Sequence, residues 1–318
     1  MLPAPTEDTA PLFLHPHPAP LVPLLVPHLP SALPLYSTLL TPGVDTPVWA
    51  SFPPSDDGSA APPPGDEPWF VLADMGNQLR FYCSAETSTS EEERARAEEL
   101  ILRSFRWYLT HHANGRPDIR IGAIPAVWTA AIARGFSAPF YPSHIHYQRL
   151  PPASSAPHDS SSATFFPEGI TGGETLETHI EQILSTSDVP HPPSYLLTRL
   201  PHTTSLFSPS SSSPAEPKSE LVAHCITHRD GSIGTVHVSP AFRQQGLGTL
   251  LLRERMRAMA ASPSPLEGVG EAPRFAHCYV SPGNEKSRAL MRRVGMDSTA
   301  WCVSWAVVQL PLKGGGEA

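Results

Sequence analysis

The stretch that decides the fold runs Gly234-Thr-Val-His-Val-Ser-Pro-Ala-Phe-Arg243-Gln-Gln-Gly246-Leu-Gly248-Thr-Leu-Leu-Leu252. Its β-branched first residues predict a strand, and its leucine run predicts the first turns of an amphipathic helix. The glycines between them predict a tight turn. Such a turn presents consecutive backbone N–H groups at a helix N-terminus, where the helix dipole favours an anion such as a pyrophosphate.

Strands and helices are predicted on both sides of this turn. Before it, a strand is predicted over Leu221–Thr227, a turn at Arg229-Asp-Gly231, and a second strand over Ile233–Val238. After it, the pattern predicts a helix over Leu247–Ala260, a strand over Phe275–Val280, a helix over Asn284–Val294 and a final strand or strand pair over Thr299–Leu310. Strands that alternate with helices indicate an α/β fold built on a mixed central sheet.

The first part of the chain also predicts helices and strands, separated by long loops. Short helices are expected in 21–40, a hairpin in 68–82, a helix after the capping box Ser90-Glu-Glu-Glu93, a helical stripe over 176–184 and a strand over Tyr195–Leu200. Proline- and serine-rich composition predicts loops at 53–68, 151–168 and 207–219. We therefore expect a proline-rich tail (1–20), an N-terminal helix–strand half (21–194) and a C-terminal domain (195–312).

Charge and composition narrow the class of partner. The chain has 318 residues, with 22 Lys and Arg against 30 Asp and Glu, and a net charge of −8. An acidic chain without a basic run is a poor match for nucleic acid. No apolar run approaches the ~20 residues that span a bilayer, and the opening segment lacks the basic start of a signal peptide. We expect a soluble, cytoplasmic protein that binds neither nucleic acid nor membrane.

The 4 cysteines are Cys83, Cys225, Cys278 and Cys302. None forms a CxxC pair, and none has the spaced partners typical of zinc. The pattern therefore predicts free thiols in a reducing compartment and no metal site.

Two motifs resemble a known family. Arg243-x-x-Gly246-x-Gly248, followed by a helix that begins near Asn284 and ends at Gly295, resembles the acyl-CoA-binding motifs of the GNAT acetyltransferase superfamily. The stretches Leu197-Thr-Arg-Leu-Pro, Trp69-Phe-Val-Leu-Ala-Asp74 and Pro240-Ala-Phe-Arg243 look like its glycine N-acyltransferase-like branch. The resemblance implies a GNAT-like fold, a mixed central sheet flanked by helices.

The resemblance also implies a cofactor site and a reaction. An acyl-CoA, acetyl-CoA in the simplest case, is the implied co-substrate, with the backbone of Val238 on its pantetheine arm. The implied pyrophosphate contacts are Arg243, Gln244, Gln245, Gly246, Leu247, Gly248 and Thr249. Asn284 would bind the arm, although it also suits a helix N-cap, and Ser287 would lie near the thioester. The implied reaction is direct attack by a small amine or amino acid, with a backbone N–H near Val238 stabilising the oxyanion.

The chain departs from the family at the proton-transfer positions. Where many members place a carboxylate or histidine, this chain has Ser232 and Gly234, and where many place a tyrosine it has Met291. We take Asp230, Ser232 and His277 as the candidate catalytic residues, with His224 and His237 as further candidates. Strand alternation puts Ser232, Gly234, Val236 and Val238 on one face and His237 on the other, which argues against His237. Cys278 as a covalent nucleophile is a minor alternative.

Other functions remain open at this stage. A non-catalytic acyl-CoA-binding or interaction protein would keep the glycine turn and lose the proton-transfer groups. A protein or peptide N-acetyltransferase would have the same fold. The missing carboxylate favours an easily deprotonated acceptor, because at pH 7.4 neutralising a lysine-like amine costs about 4 kcal/mol and an α-amino group under about 1 kcal/mol.

Overall fold

The computed structural model describes residues 11–41, 46–55, 60–65, 67–76, 78–113, 115–152, 166–209, 219–262 and 272–310. The helices are α1 (Leu21–Leu25), α2 (Leu33–Leu39), α3 (Glu91–His112), α4 (Ala126–Phe136), α5 (Ile180–Ser185), α6 (Pro193–Arg199), α7 (Leu247–Ala261) and α8 (Glu285–Arg293). The strands are β1 (Phe13–His15), β2 (Val48–Ala50), β3 (Phe70–Asp74), β4 (Gln78–Cys83), β5 (Asp118–Pro125), β6 (Phe140–Arg149), β7 (Thr171–Gly173), β8 (Thr203–Pro209), β9 (Ser219–Thr227), β10 (Ile233–Val238), β11 (Phe275–Val280) and β12 (Asp297–Gln309). The expected mixed α/β fold, with a mostly antiparallel sheet flanked by helices, is confirmed.

The chain divides into two units. Unit 1 comprises Met1–Ser143, Ser264–Ala272 and Trp301–Ala318, and unit 2 comprises His144–Pro263 and Pro273–Ala300. The end of the chain thus belongs to the same unit as its beginning, and the boundary expected after residue 194 lies inside unit 2.

In unit 1, β1 to β5 pair in chain order and β12 lies beside β5. All of these pairs are antiparallel except β4 with β5, which are parallel. Helices α3 and α4 contribute Phe105 and Trp128 to a core that contains Phe70 and Phe81 from the sheet. Burial of large aromatic side chains supplies much of the stability of such a core.

In unit 2, an antiparallel sheet has the order β10-β9-β8-β7, and β11 pairs with β6 over residues 144–149. Each face of this sheet has its own core. On one face, Leu251 and Leu252 of α7 pack with Cys225 and Ile233. On the other face, residues of α5 and α6 pack with Ile226 in a separate cluster. The two faces therefore carry different helices, and this decides which side chains meet at the site.

A parallel strand–helix–strand crossover occurs in each unit. In unit 1 it is β4-α3-β5, and in unit 2 it is β10-α7-β11, where an isolated parallel bridge joins Ser232 to His277. A crossover helix is the usual way to connect parallel strands.

The predicted start of α3 is confirmed in part. The Ser90 hydroxyl oxygen accepts a hydrogen bond from the Glu93 N–H at 3.3 Å, as a capping box requires. The reciprocal bond is absent because the Glu93 carboxylate accepts from the Ser88 hydroxyl at 2.5 Å, and the Ser90 N–H donates to Ser88 instead. The helix still gains its N-cap.

The strand predicted over Tyr195–Leu200 is wrong, because Pro193–Arg199 is the helix α6. A proline at the first turn favours a helix, since its fixed φ suits that position and its missing N–H is not needed there. Leu196 and Arg199 are buried three residues apart, which is helical spacing. The segment is too short for this spacing to be distinguished from strand alternation in the sequence alone.

The remaining expectations concern the ends and loops of the chain. Strand β1 lies within the segment expected to be a tail and pairs with β2. The proline- and serine-rich stretches at 153–165 and 210–218 lie outside the described residues. Within the described ranges, no helix combines the length and apolarity needed to cross a membrane. All 4 cysteines are free thiols.

Candidate functional site

The glycine turn joins β10 to α7 through a short 3₁₀ turn and two residues with positive φ. After Val238 the chain makes a short 3₁₀ turn over Pro240–Phe242. Gln244 and Gly246 then adopt positive φ values of 64° and 81°. Only glycine adopts such a φ without steric cost, so Gly246 is required by the turn itself.

The turn presents free backbone donors. The N–H groups of Thr249 and Leu250 donate to the carbonyl of Gly246 at 3.0 and 3.1 Å. The N–H groups of residues 244–248 donate to no acceptor within the part of the chain that the structure describes. Gly246, the N-cap of α7, has no side chain to satisfy them. These donors and the helix dipole form a site that favours an anion.

Arg243 and Gln245 brace the turn with their side chains. Arg243 Nε donates to the carbonyl of Val238 at 2.9 Å, while its exposed guanidinium keeps a positive charge beside the free donors. Gln245 donates to the carbonyl of Ala241 at 3.2 Å. Arg243 therefore fixes the turn against the end of β10 as well as contributing charge.

Gly248 packs against two elements. A Cβ atom at this position would lie 3.4 Å from Leu290 of α8 and 3.8 Å from Val238, which is ordinary van der Waals contact. The first turn of α7 therefore lies close to both elements, with room for a methyl group.

A β-bulge interrupts β10 directly before the turn. Gly234 lies opposite Ile226, and His237 lies opposite His224, so Thr235 and Val236 together oppose the single residue Cys225 on β9. Thr235 adopts a positive φ of 50°. The extra residue reverses the alternation, and Gly234 and His237 therefore share one face. The prediction that they lie on opposite faces is wrong, and so is the argument against His237 that rested on it.

Among the described strands, β10 has β9 as its neighbour along its length and β11 only near its start. The contact with β11 is the bridge at Ser232 and His277. Beyond that bridge the edge of β10 is left without a neighbouring strand. An unpaired strand edge offers N–H and C=O groups to a ligand.

The structure brings the three candidate catalytic residues together, in a buried place. The Ser232 hydroxyl donates to Asp230 Oδ1 at 2.6 Å, and the Ser232 N–H donates to the same oxygen at 3.1 Å. Asp230, Ser232 and His277 are 3%, 4% and 0% exposed. Asp230 thereby organises the hairpin turn between β9 and β10.

The second motif has a clear structural role. Asn284 is the N-cap of α8, and its side-chain oxygen accepts from the Ser287 N–H at 3.1 Å. Asn284 is exposed and Ser287 is partly buried, whereas Met291 on the same helix is 3% exposed and belongs to the core. The amide nitrogen of Asn284 is the part of this side chain that remains for a ligand.

Burial governs the titration of the other candidates. His224 and His237 stack with their rings 5.5 Å apart. Burial, with the charge of His237, lowers the pKa of His224 to about 4, and burial also lowers the pKa of His237. Burial raises the pKa of the Cys278 thiol to about 12, which disfavours the nucleophilic thiolate.

Two residues near the bulge escaped sequence reasoning. Tyr195 of α6 and His228 at the end of β9 form a 2.7 Å hydrogen bond between the hydroxyl and Nδ1. The misassigned strand at Tyr195 concealed this contact. The one sign of this contact in the sequence was the position of His228, immediately before the hairpin turn.

Part of the chain matches a known family, and solved structures share its fold. Residues 215–305, which include the bulge, the glycine turn and α8, match the family model described as FR47-like protein. No curated protein matches the chain in sequence. An X-ray structure of a Drosophila protein is 14% identical, with a TM-score of 0.60 over 92% of this chain and 95% of that chain. This likeness shows a shared fold along most of the length.

Two further solved structures are similar at lower scores. One is a GCN5-related N-acetyltransferase from Sphaerobacter thermophilus, 14% identical, with a TM-score of 0.48 over 95% of this chain and 96% of that chain. The other is a tandem GNAT protein from the clavulanic acid biosynthesis pathway, 12% identical, with a TM-score of 0.46 over 94% and 98%. Among the described residues, no group of three or more His, Cys, Asp or Glu side chains is arranged to hold a metal ion.

Proposed function

We propose that this protein is an acyl-CoA-dependent N-acyltransferase that transfers an acyl group, acetyl in the simplest case, to a small amine or amino acid. The observation that carries the proposal is the run of unbonded N–H groups over residues 244–248, directly after a strand with an unpaired edge. The match of residues 215–305 to the FR47-like family supports it, and the GNAT resemblance of the same motifs supplies the reaction class.

The residues of the turn suit the phosphates of coenzyme A. The donors of residues 244–248 and the positive end of α7 would hold a pyrophosphate, with the exposed Arg243 beside them. Leu247, Gly248 and Thr249 complete the first turn of the helix, and the edge of β10 up to Val238 would bind the pantetheine arm. Asn284 and Ser287 stay predictions for the arm and the thioester end, with the Asn284 amide nitrogen as the available group.

The proposed chemistry is direct transfer. The amine nitrogen attacks the thioester carbonyl carbon and forms a C–N bond. The C–S bond then breaks, and CoA leaves as the thiol with a proton that came from the amine. The backbone N–H groups of Thr235 and Val236, which lie in the bulge, are the proposed donors to the oxyanion. Cys278 takes no part, since it is 2% exposed and its pKa is raised to about 12. Asp230, Ser232 and His277 stay predictions as catalytic residues.

Binding is tested by thermal shift with CoA, acetyl-CoA and benzoyl-CoA. A ligand at ~100 times its Kd stabilises the folded state by about 2.7 kcal/mol. Gly246→Glu places a negative charge on the anion site and should abolish the shift. Gly169→Glu is the matched control, because Gly169 is another exposed glycine with positive φ, 77°, in a different turn.

Turnover is tested by release of the CoA thiol in the presence of amines. Release with small amino acids supports the proposal, and release only with peptides favours a peptide N-acetyltransferase. A thermal shift without release from any acceptor indicates an acyl-CoA-binding protein. No shift with any of the three ligands would mean that the motif is only a structural turn.

A further inference from the structure

The His228–Tyr195 pair lies on the face of unit 2 that carries α5 and α6. Residues opposite one another in a sheet share a face, so Gly234 lies with Ile226, and His237 lies with His224. Ile226 packs with Leu196, the residue that follows Tyr195. The bulge thus directs this face of β10 towards α6, away from α7.

Tyr195 is held rigidly. Its hydroxyl lies 2.7 Å from His228 Nδ1, and the two rings are nearly parallel with centroids 6.0 Å apart. His191 stacks on Tyr195 at 4.9 Å and lies 5.2 Å from His228. The Arg229 guanidinium lies 5.7 Å from the centre of the Tyr195 ring. Stacked and hydrogen-bonded aromatic rings lose their rotamer freedom, which orients His228 in advance of any ligand.

The imidazole of His228 lies directly on the bulge. A Cβ atom at Gly234 would be 2.5 Å from His228 Nε2, a distance at which atoms cannot coexist. The Thr235 hydroxyl oxygen lies 3.5 Å from the same nitrogen. Gly234 is therefore the residue that lets the ring approach the strand, and Nε2 is the ring atom nearest to the position that a Cβ atom would occupy.

We infer that His228 is the proton acceptor of the proposed acyl transfer, and that Tyr195 is the residue that positions it. This inference rests on the proposed function. As the amine forms the C–N bond at the thioester carbonyl, its N–H proton passes to His228 Nε2. The oxyanion collapses, the C–S bond breaks, and the proton on His228 is passed to the departing thiolate or to water.

The proposal requires one tautomer of His228. With Nδ1–H as the donor to the Tyr195 hydroxyl oxygen, 2.7 Å away, the lone pair of the ring lies on Nε2, the nitrogen next to Thr235. Burial raises the pKa of Tyr195 to about 12, with Asp230 as a further cause, so the phenol stays neutral and does not compete as the base. The charged and titratable groups around His228 include Tyr195, His191 and Arg199 from the α6 side and Arg229 and Asp230 from the hairpin.

Exposure separates His228 from the buried candidates. His228 and Thr235 are partly exposed, whereas Asp230, Ser232 and His277 are no more than 4% exposed. A general base has to reach the proton that it takes.

A base of this kind also narrows the class of acceptor. It favours an amine with a pKa near that of imidazole, such as an α-amino group, because proton transfer between the two is then nearly balanced.

The test compares His228→Gln and Tyr195→Phe with the control His144→Gln, which changes a partly buried histidine on β6. Each variant is assayed for acetyl-CoA binding by thermal shift and for kcat across pH 5.5–9. We expect His228→Gln to bind acetyl-CoA like the parent and to lose about 100-fold or more in kcat. The acid limb of its pH–rate profile should disappear.

Tyr195→Phe should lower kcat and displace the acid limb without weakening acetyl-CoA binding, an effect that a merely structural residue would not produce. His228→Gly provides a second variant, in which added imidazole should restore part of the rate. The inference would be overturned if His228→Gln kept the kcat of the parent, or if Asp230→Asn lowered kcat and His228→Gln did not. Either result would leave the proposed function in place. A parent that binds acetyl-CoA but never releases CoA would overturn both.

Discussion

Arg243 Nε lies 2.9 Å from the carbonyl oxygen of Val238 and donates a hydrogen bond to it. This bond joins the loop that carries the free N–H groups to the last residue of β10. The proposed sites for the pyrophosphate and for the pantetheine arm are therefore coupled through one side chain.

Removal of this side chain should weaken CoA binding without unfolding the protein. Arg243→Ala deletes one charge-assisted hydrogen bond at an exposed site, worth about 1 kcal/mol or roughly a fivefold increase in Kd. Titration calorimetry with CoA measures the effect. Arg253→Ala, an exposed arginine on α7, is the control, and an equal loss in both variants would show that only general charge matters.

The two glycines of the turn should respond differently to alanine. Gly246→Ala forces a side chain into a positive φ and should reduce the free energy of unfolding by about 1–2 kcal/mol. Gly248→Ala puts its methyl group in ordinary contact with Leu290 at 3.4 Å and should be nearly neutral. Urea unfolding compares the two variants. A larger loss for Gly248→Ala would contradict the geometry described.

Asn284 allows capping to be separated from ligand binding. Asn284→Ala should cost about 1 kcal/mol of stability because the Ser287 N–H loses its acceptor. Asn284→Asp keeps the acceptor and should keep the stability, while it removes the amide N–H donors. A normal CoA affinity in Asn284→Asp would show that the residue is a cap and nothing more.

The buried His224 predicts an acid-sensitive fold. Burial lowers its pKa to about 4 in the folded protein, from the ordinary value of 6.5. The unfolded state therefore binds more protons between these pH values, and stability is lost as the pH falls from about 6.5 to about 4. The contribution is on the order of 3 kcal/mol at 1.36 kcal/mol per pKa unit.

His224→Gln should flatten this dependence, whatever it does to stability at pH 8. Unfolding free energies measured by urea titration at several pH values give the slope. The same substitution at the exposed His17 serves as the control. A parent slope that persists in His224→Gln would assign the acid sensitivity to other groups, such as His202, whose pKa burial also lowers to about 4.

Local signals predicted much of the chain correctly. The strands β9, β10 and β11 and the helices α7 and α8 begin and end within about two residues of their expected limits, and α3 begins at its expected cap. The caps at Ser90 and Asn284 were visible for the same reason, because a cap depends on residues no more than three positions away. The helix α6 was missed since its short run of apolar residues fits either period.

The sequence by itself determined the glycine turn and the helix that follows it, because Gly246 and the leucine run act over neighbouring residues. Only the tertiary structure decided the bulge in β10, which depends on the register between β9 and β10. That register placed His237 on the face of Gly234, and the packing of α6 on the same face brought Tyr195 to His228, 33 residues away. Contacts between residues so far apart follow from the paired backbone, so no local pattern predicts them.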